Sequence, residues 1–511
     1  MQDTAQEYQK QIKELEQQVR LLREQVDFLT RKLYGTKSEK TSALEIEGQM
    51  SLFNEMESCA EPDAHEPDLV EVEKYLRKRK YAGQREKLIK DIPRSKVLHT
   101  IDESEQICER CGGTMVKVGE EFVRTEVQFI PASLKVVDHY RETYECRACR
   151  KNGTPYMEKS PVPHPPVMHS LASASTIAWL VHQKFELGIP LYRQEKEWEA
   201  MGLSLSRATM SNWLLAVCRD WLSHVVSHLR RELLKQGYLH IDETHVQVLK
   251  EPGRKNTSDS YMWVYCSTRD SKRPVRYFEY QPGRGGKYPE TFLKGYTGYI
   301  HTDAYSGYNG VKGVTRCLCY THLRRAFVDA LPKDIHGPEA SKPAEAVIRL
   351  NKLFEIEKEL DGLPPEQKKK ERLDREKPLL EAFWSWAEIS SAGELPKSKL
   401  HTAFQYALNN RKEFFNYLGD GNCSISNSLA ENCIRPFVIG RKNWLFAGSP
   451  KGAAASAGIY TLVETAKANG LDAMKYIKYI LADMPGSRFL ENPEYLDDYL
   501  PWDPMVQERC R

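Results

Sequence analysis

The spacing of apolar residues changes several times along the chain, and the changes divide it. Over residues 5–33 apolar side chains recur every three and four positions. Ala5, Ile12, Val19, Val26 and Leu33 fall at a, and Tyr8, Leu15, Leu22 and Leu29 at d. β-Branched a positions with leucine at d favour a parallel two-stranded coiled coil, so residues 1–35 are expected to pair with a second copy. Residues 36–98 lose the period and read as a linker, acidic over 55–73 and basic over 74–96.

Residues 121–130 and 134–145 read as two strands, and the proline-rich 151–168 as a stiff connection. Helical spacing returns over 171–187 and again over 191–217, where Gly202 breaks the run and Ser204 or Ser206 can cap a second helix. Two short helices about such a turn outline a helix-turn-helix within 168–236, with Arg207 and Asn212 near the start of the second helix.

From Tyr238 the period becomes two. Strands are expected at 238–250, 261–268, 275–280, 298–305 and 316–320, with a short helix near 288–294. Strand signals then vanish between 331 and 420, where helices are expected near 343–361, 366–390 and 398–418. The fold class is therefore multidomain α/β with a helical insertion.

Composition narrows the picture modestly. The 511 residues carry a net charge of +3, so overall charge names no partner. No apolar run approaches the roughly 20 residues that span a bilayer, and the N-terminus reads as a polar helix, not a signal peptide. Twelve cysteines without such a signal point to a reducing, cytoplasmic setting. Four of them, Cys108, Cys111, Cys146 and Cys149, form two CxxC pairs separated by 34 residues. Four thiolates in knuckle-like turns suit tetrahedral, structural zinc in a ribbon-like module over 99–155.

The candidate chemistry rests on three acids. Asp242 lies mid-strand among Leu239, Ile241, Val246 and Val248, where an unpaired carboxylate is costly. Asp303 ends a later strand and also reads as an ordinary turn aspartate. Glu431 starts a helix after the insertion and also reads as the Glu of a capping box with Ser428. Together they are what two-metal phosphodiester chemistry requires, with hard-oxygen ligands for magnesium or manganese. Arg435, Arg441, Lys442 and Trp444 follow Glu431, and Arg324 and Arg325 follow Asp303; all six are candidate DNA contacts. Trp444 equally reads as a core aromatic. Cys319 and His322 are two ligands of the metal-binding type, too few for a zinc site, and read as structural.

The sequences HIDET (240–244), HTDAYSGY (301–308), CYTHLRRAF (319–327) and NSLAENCIRPFVIGRKNWLFAGS (427–449) resemble those of the insertion sequence 66 family transposases. So do the zipper, the four-cysteine module, LYRQE (191–195), TLVETAKANGLD (461–472) and LPWDP (500–504). The resemblance covers nearly the whole chain. It implies an RNase H-like DDE catalytic domain over 237–330 and 421–470, interrupted by the helical insertion 331–420 and followed by a C-terminal element, 471–511. It also implies Asp242, Asp303 and Glu431 as the catalytic, magnesium- or manganese-binding triad. The implied function is that of a bacterial transposase, acting in the cytoplasm and on the nucleoid. It would bind transposon ends and target DNA, cleave and join strands, and work beside accessory proteins of the same element. A catalytically silent DNA-binding descendant, or a nuclease that cuts without joining, shares the same residues.

Overall fold

A computed structural model of the chain describes residues 134–147, 151–153, 157–159, 161–332 and 341–511. The heptad seam, the acidic and basic stretches, and Cys108, Cys111 and Cys149 lie outside the described residues.

The first paired strands are β1 (Thr143–Glu145) and β2 (Met157–Lys159), antiparallel. Two expectations need correction here. The strand read over 134–145 is confined to its last three residues; 134–142 are exposed and have no partner strand among the described residues, outside which the other expected strand, 121–130, lies. The segment 151–168, read as connection only, supplies β2 as that partner.

The helical segment follows the expected outline. It comprises α1 (Ala174–Val181), α2 (Leu191–Ala200), α3 (Arg207–Val217) and α4 (Ser223–Leu234), with wider π-type turns extending α1 and joining α3 to α4. Ser206 is the cap of α3, its hydroxyl accepting from the Thr209 N–H at 3.1 Å. Gly202, between α2 and α3, has φ +89°, a conformation costly for any residue with a Cβ. Trp198, Met210, Trp213, Leu214 and Val217 turn inward and join the core of the following sheet.

That sheet holds β3 (Tyr238–Val248), β4 (Asp259–Ser267), β5 (Arg276–Gln281), β6 (Gly298–Thr302) and β7 (Val314–Leu318). Their order is β5-β4-β3-β6-β7, and a short β8 (Phe446–Ala447) pairs with the far end of β3. β3–β4 and β4–β5 are antiparallel, whereas β3–β6 and β6–β7 are parallel. The crossover from β5 to β6 carries α5 (Lys287–Phe292). β4 is buried from Met262 to Ser267, as expected of a strand covered on both faces. The edge strand β5 is closed by α13 (Pro450–Ala468). The Thr461 and Thr465 hydroxyls accept from the Phe278 and Arg276 N–H groups at 2.8 and 3.0 Å.

After β7 the chain enters α6 (Tyr320–Asp329) and then the insertion: α7 (Lys342–Glu359), α8 (Pro365–Glu371), α9 (Lys377–Ser391), α10 (Lys399–Asn409) and α11 (Arg411–Phe415). These helices bury their own core, with Leu350, Leu380, Phe383, Trp384, Phe404 and Phe414 packed against Phe327 of α6. Arg372, fully buried, forms a two-pronged pair with Glu357 at 2.6 and 3.0 Å. Its remaining N–H groups donate to the Cys423 and Asp420 carbonyls at 2.8 and 3.2 Å, tying the insertion to the segment that leads into α12 (Ser428–Trp444). Two further helices, α14 (Ala473–Asp483) and α15 (Pro504–Cys510), end the chain. Among the described residues no helix is long and apolar enough to cross a membrane.

Candidate active site

Alternation along β3 sends Ile241 and Glu243 to one face of the sheet, and His240 and Asp242 to the other. α12 packs on the Asp242 face. Its lead-in residue Asn427 is buried, donates to the Ile241 carbonyl at 2.8 Å and pairs with His240 Nδ1 at 3.1 Å. This corrects the capping-box reading. Ser428 is the first residue of α12, Asn427 occupies the cap position, and its side chain turns to β3 rather than to the helix.

Three carboxylates meet at this junction. Burial first, and then the negative charges of Glu243, Glu431 and Asp303, push the Asp242 carboxyl up to about 7. Asp303 lies one residue beyond β6. Its Oδ1 accepts from the Tyr305 N–H at 3.0 Å, so the turn-aspartate reading holds as well. Glu431 stands in the first turn of α12, and its Oε1 is shielded from solvent with no hydrogen-bond partner. His322 Nδ1, on α6, lies 3.6 Å from that oxygen and is equally shielded and unpartnered.

Cys319, just before α6, accepts from the Asn427 N–H at 3.1 Å. Burial would raise its thiol pKa, but the His322 ring and neighbouring backbone N–H groups outweigh it and pull the value down. The same thiol, followed by the Glu431 charge, raises His322 to about 9 against the effect of burial.

Asp303 and His322 face one open cavity of about 320 Å³, also lined by Arg284, Ala304, Tyr305 and Tyr406. Arg284 is held from two sides. Its Nε donates to Glu243 Oε1 at 2.6 Å, and its guanidinium lies 3.9 Å from the Tyr305 ring centre. Nη2 stands 3.9 Å from Asp303 Oδ2. Glu243 is nearly fully buried, and its other oxygen accepts from the Tyr308 hydroxyl at 2.5 Å. Tyr406 arrives from α10 of the insertion, with its hydroxyl shielded and unpartnered. Sequence reasoning missed Arg284, Glu243, Tyr406 and Asn427. The glycines around Arg284 look like turn punctuation, and nothing local marks the other three.

The remaining candidates are scattered. Arg207 and Asn212 are both exposed, near the start of α3. Arg325 and Lys442 are exposed, and Arg435 is half-buried on α12. Arg324 donates to Asn351 at 2.6 Å, and Arg441 to Thr244 at 3.1 Å and to the His245 carbonyl, so both have structural partners. Trp444 packs over Gly440, where any Cβ would strike its ring, and lies under Lys184 Nζ at 4.3 Å. The core alternative describes its surroundings. Of the four zinc candidates, Cys146 alone is described, directly after β1.

The family model described as Transposase IS66 family matches residues 169–455, more than half of the chain. The chain belongs to the IS66 transposase family. A second model, a zinc-finger binding domain of transposase IS66, matches 105–150 and so spans Cys108, Cys111, Cys146 and Cys149. A third, described as Transposase C of IS166 homeodomain, matches 21–97. Two curated relatives come from Sinorhizobium fredii (strain NBRC 101917 / NGR234). The uncharacterized protein y4hP is 27% identical over 94% of this chain and 87% of its own length. The uncharacterized protein y4jD is 26% identical over 96% of each. No solved structure matches the chain. This IS66 family member therefore brings its three candidate acids together inside the matched region.

Proposed function

We propose that this IS66 family protein is the DDE transposase of an insertion sequence, binding its ends and catalysing DNA cleavage and strand transfer. The observation that carries the reading is the convergence of Asp242, Asp303 and Glu431 from β3, the end of β6 and α12, with Asp242 raised by burial and by the charges of the other two. The sheet supports an RNase H-like catalytic domain, with three antiparallel strands continued by two parallel ones and the first acid in the middle of the central strand.

An unpartnered Glu431 oxygen and a repelled Asp242 are the donor set a hard divalent cation takes up. Asp242, Asp303 and Glu431 would hold magnesium or manganese, which when bound activates the attacking oxygen and stabilises the leaving one. The chain's own groups do the rest. Asn427 fixes α12, and with it Glu431, against β3. Arg284 places a permanent positive charge on the cavity wall beside Asp303, where a strand phosphate would lie. The start of α3, with Arg207 and Asn212, is assigned to DNA recognition, and Arg325, Arg435 and Lys442 to the phosphate backbone. Zinc on the four cysteines would be structural, since four protein ligands leave no open position. The heptad seam would join two copies.

The test is cleavage of supercoiled plasmid carrying the element's ends, with magnesium or manganese. Wild type should nick and join, and Asp242→Asn and Glu431→Gln proteins that still fold and bind DNA should do neither. Equal cleavage by variants and wild type overturns the triad. Binding without any cleavage by wild type supports the silent, DNA-binding reading instead.

A further inference from the structure

We propose that Cys319, His322 and Glu431 form a transition-metal site, of the zinc or cobalt class, fused to one side of the carboxylate centre. The thiol sulfur, an imidazole nitrogen and a carboxylate oxygen lie within 4.8 Å of one another. His322 Nδ1 and Glu431 Oε1 are 3.6 Å apart, and each is shielded from solvent without a hydrogen bond. Two ligands about 2.0–2.2 Å from a tetrahedral ion stand roughly 3.4 Å apart, so the present spacing needs almost no adjustment. Neither atom has a hydrogen bond in this buried position, and a cation that displaces the imidazole proton would bind both.

The sulfur is prepared in the same way. Cys319 accepts the Asn427 backbone N–H at 3.1 Å, which favours the thiolate that a metal requires. Three protein ligands leave a fourth position open, the pattern of reactive rather than structural zinc centres. His322 also lines the cavity shared with Asp303 and Arg284, so that position opens toward the proposed DNA path. Sulfur and imidazole select against magnesium, which sets this site apart from an all-carboxylate one.

A second cluster shows why spacing alone is insufficient. His301, Cys317 and Cys423 are as close together, and all three are buried. There, however, His301 Nδ1 is engaged with the Leu239 carbonyl at 3.2 Å and Nε2 accepts from the Ser424 N–H at 2.9 Å. Neither nitrogen is left for an ion.

The proposal rests on the transposase reading only for what the ion would serve, not for whether it binds. The test is cobalt titration of the full chain, followed by visible and near-ultraviolet absorption and by equilibrium dialysis. Wild type should bind about one more cobalt ion than His322→Gln, with a thiolate-to-cobalt charge-transfer band. Cys319→Ser should lose this site's share of the charge-transfer absorption, the ribbon thiolates keeping theirs, while keeping weakened binding. The ribbon cysteines are the same in every protein, so their contribution cancels in the comparison. Circular dichroism checks that both variants fold; Cys319→Ser, nearly isosteric, keeps the test decisive if His322→Gln does not. An identical band and stoichiometry in wild type and folded variants overturns the site. Failure of wild type to cleave DNA overturns the transposase reading and leaves the cobalt result standing.

Discussion

Asn427 spans the gap between α12 and β3, giving its side-chain N–H to the Ile241 carbonyl and facing His240 with its oxygen. Ile241 precedes Asp242, and Glu431 follows Asn427 by one helical turn, so one buried amide sets two of the three acids relative to each other. Asn427→Ala is expected to leave the His240 nitrogen and the Ile241 carbonyl unsatisfied, at about 1–3 kcal/mol by urea denaturation. DNA cleavage should fall at least tenfold where the variant is still folded, a loss of about 1.4 kcal/mol in barrier terms.

Asp242 makes stability depend on pH in an unusual direction. An unfolded aspartate ionises near pH 4, whereas folded, metal-free Asp242 does so near 7. The folded state holds the proton more tightly, so the contribution is most favourable below about pH 4 and is lost as the pH rises to 7. Asp242→Asn, measured without metal, should be more stable than wild type at pH 8 by up to about 4 kcal/mol. The gap should close toward pH 4, and magnesium should raise the melting temperature of wild type but not of the variant.

Arg372 is the buried tie between the insertion and the approach to Glu431. Arg372→Met removes the two-pronged partner of Glu357 and two carbonyl contacts, leaving that carboxylate the more distant Lys368 Nζ at 3.5 Å. A cost of about 1–3 kcal/mol is expected from the lost charge-assisted hydrogen bonds. The double variant Arg372→Met, Glu357→Gln should recover part of it in the same denaturation series.

Arg284 divides structure from function in a testable way. Arg284→Lys keeps a charge near Glu243 but loses the planar fork and the stacking on Tyr305. Stability should fall by about 1 kcal/mol or less, while cleavage at low DNA concentration drops severalfold. Arg284→Ala should lose both, with Glu243 protonating more readily.

The zinc module predicts a stoichiometric result. Cys108→Ser or Cys149→Ser protein should contain about one zinc ion fewer per chain than wild type by elemental analysis.

Much of this molecule was legible in its residues. Period-two alternation marked β3, which alternates buried and exposed residues at its end, and Ser206 and Gly202 marked the turn between α2 and α3. Asp242 stood out because an acid amid Ile241 and Val246 has no local excuse. Arg284, Tyr406 and Asn427 stayed hidden for the opposite reason. Each is an ordinary polar residue whose neighbours at the site lie on distant elements, and only the packing of the insertion and α12 against the sheet gives it meaning. The strand over 134–145 was overread because alternation reports compatibility with a sheet, not the presence of a neighbour.

The Thr461 and Thr465 hydroxyls that cap β5 also bear on how copies can assemble. With those amides already answered from within, a second molecule cannot lengthen the sheet by adding a strand there. Any contact between copies at the β5 edge must then be made by side chains, which leaves the order of the sheet unaltered.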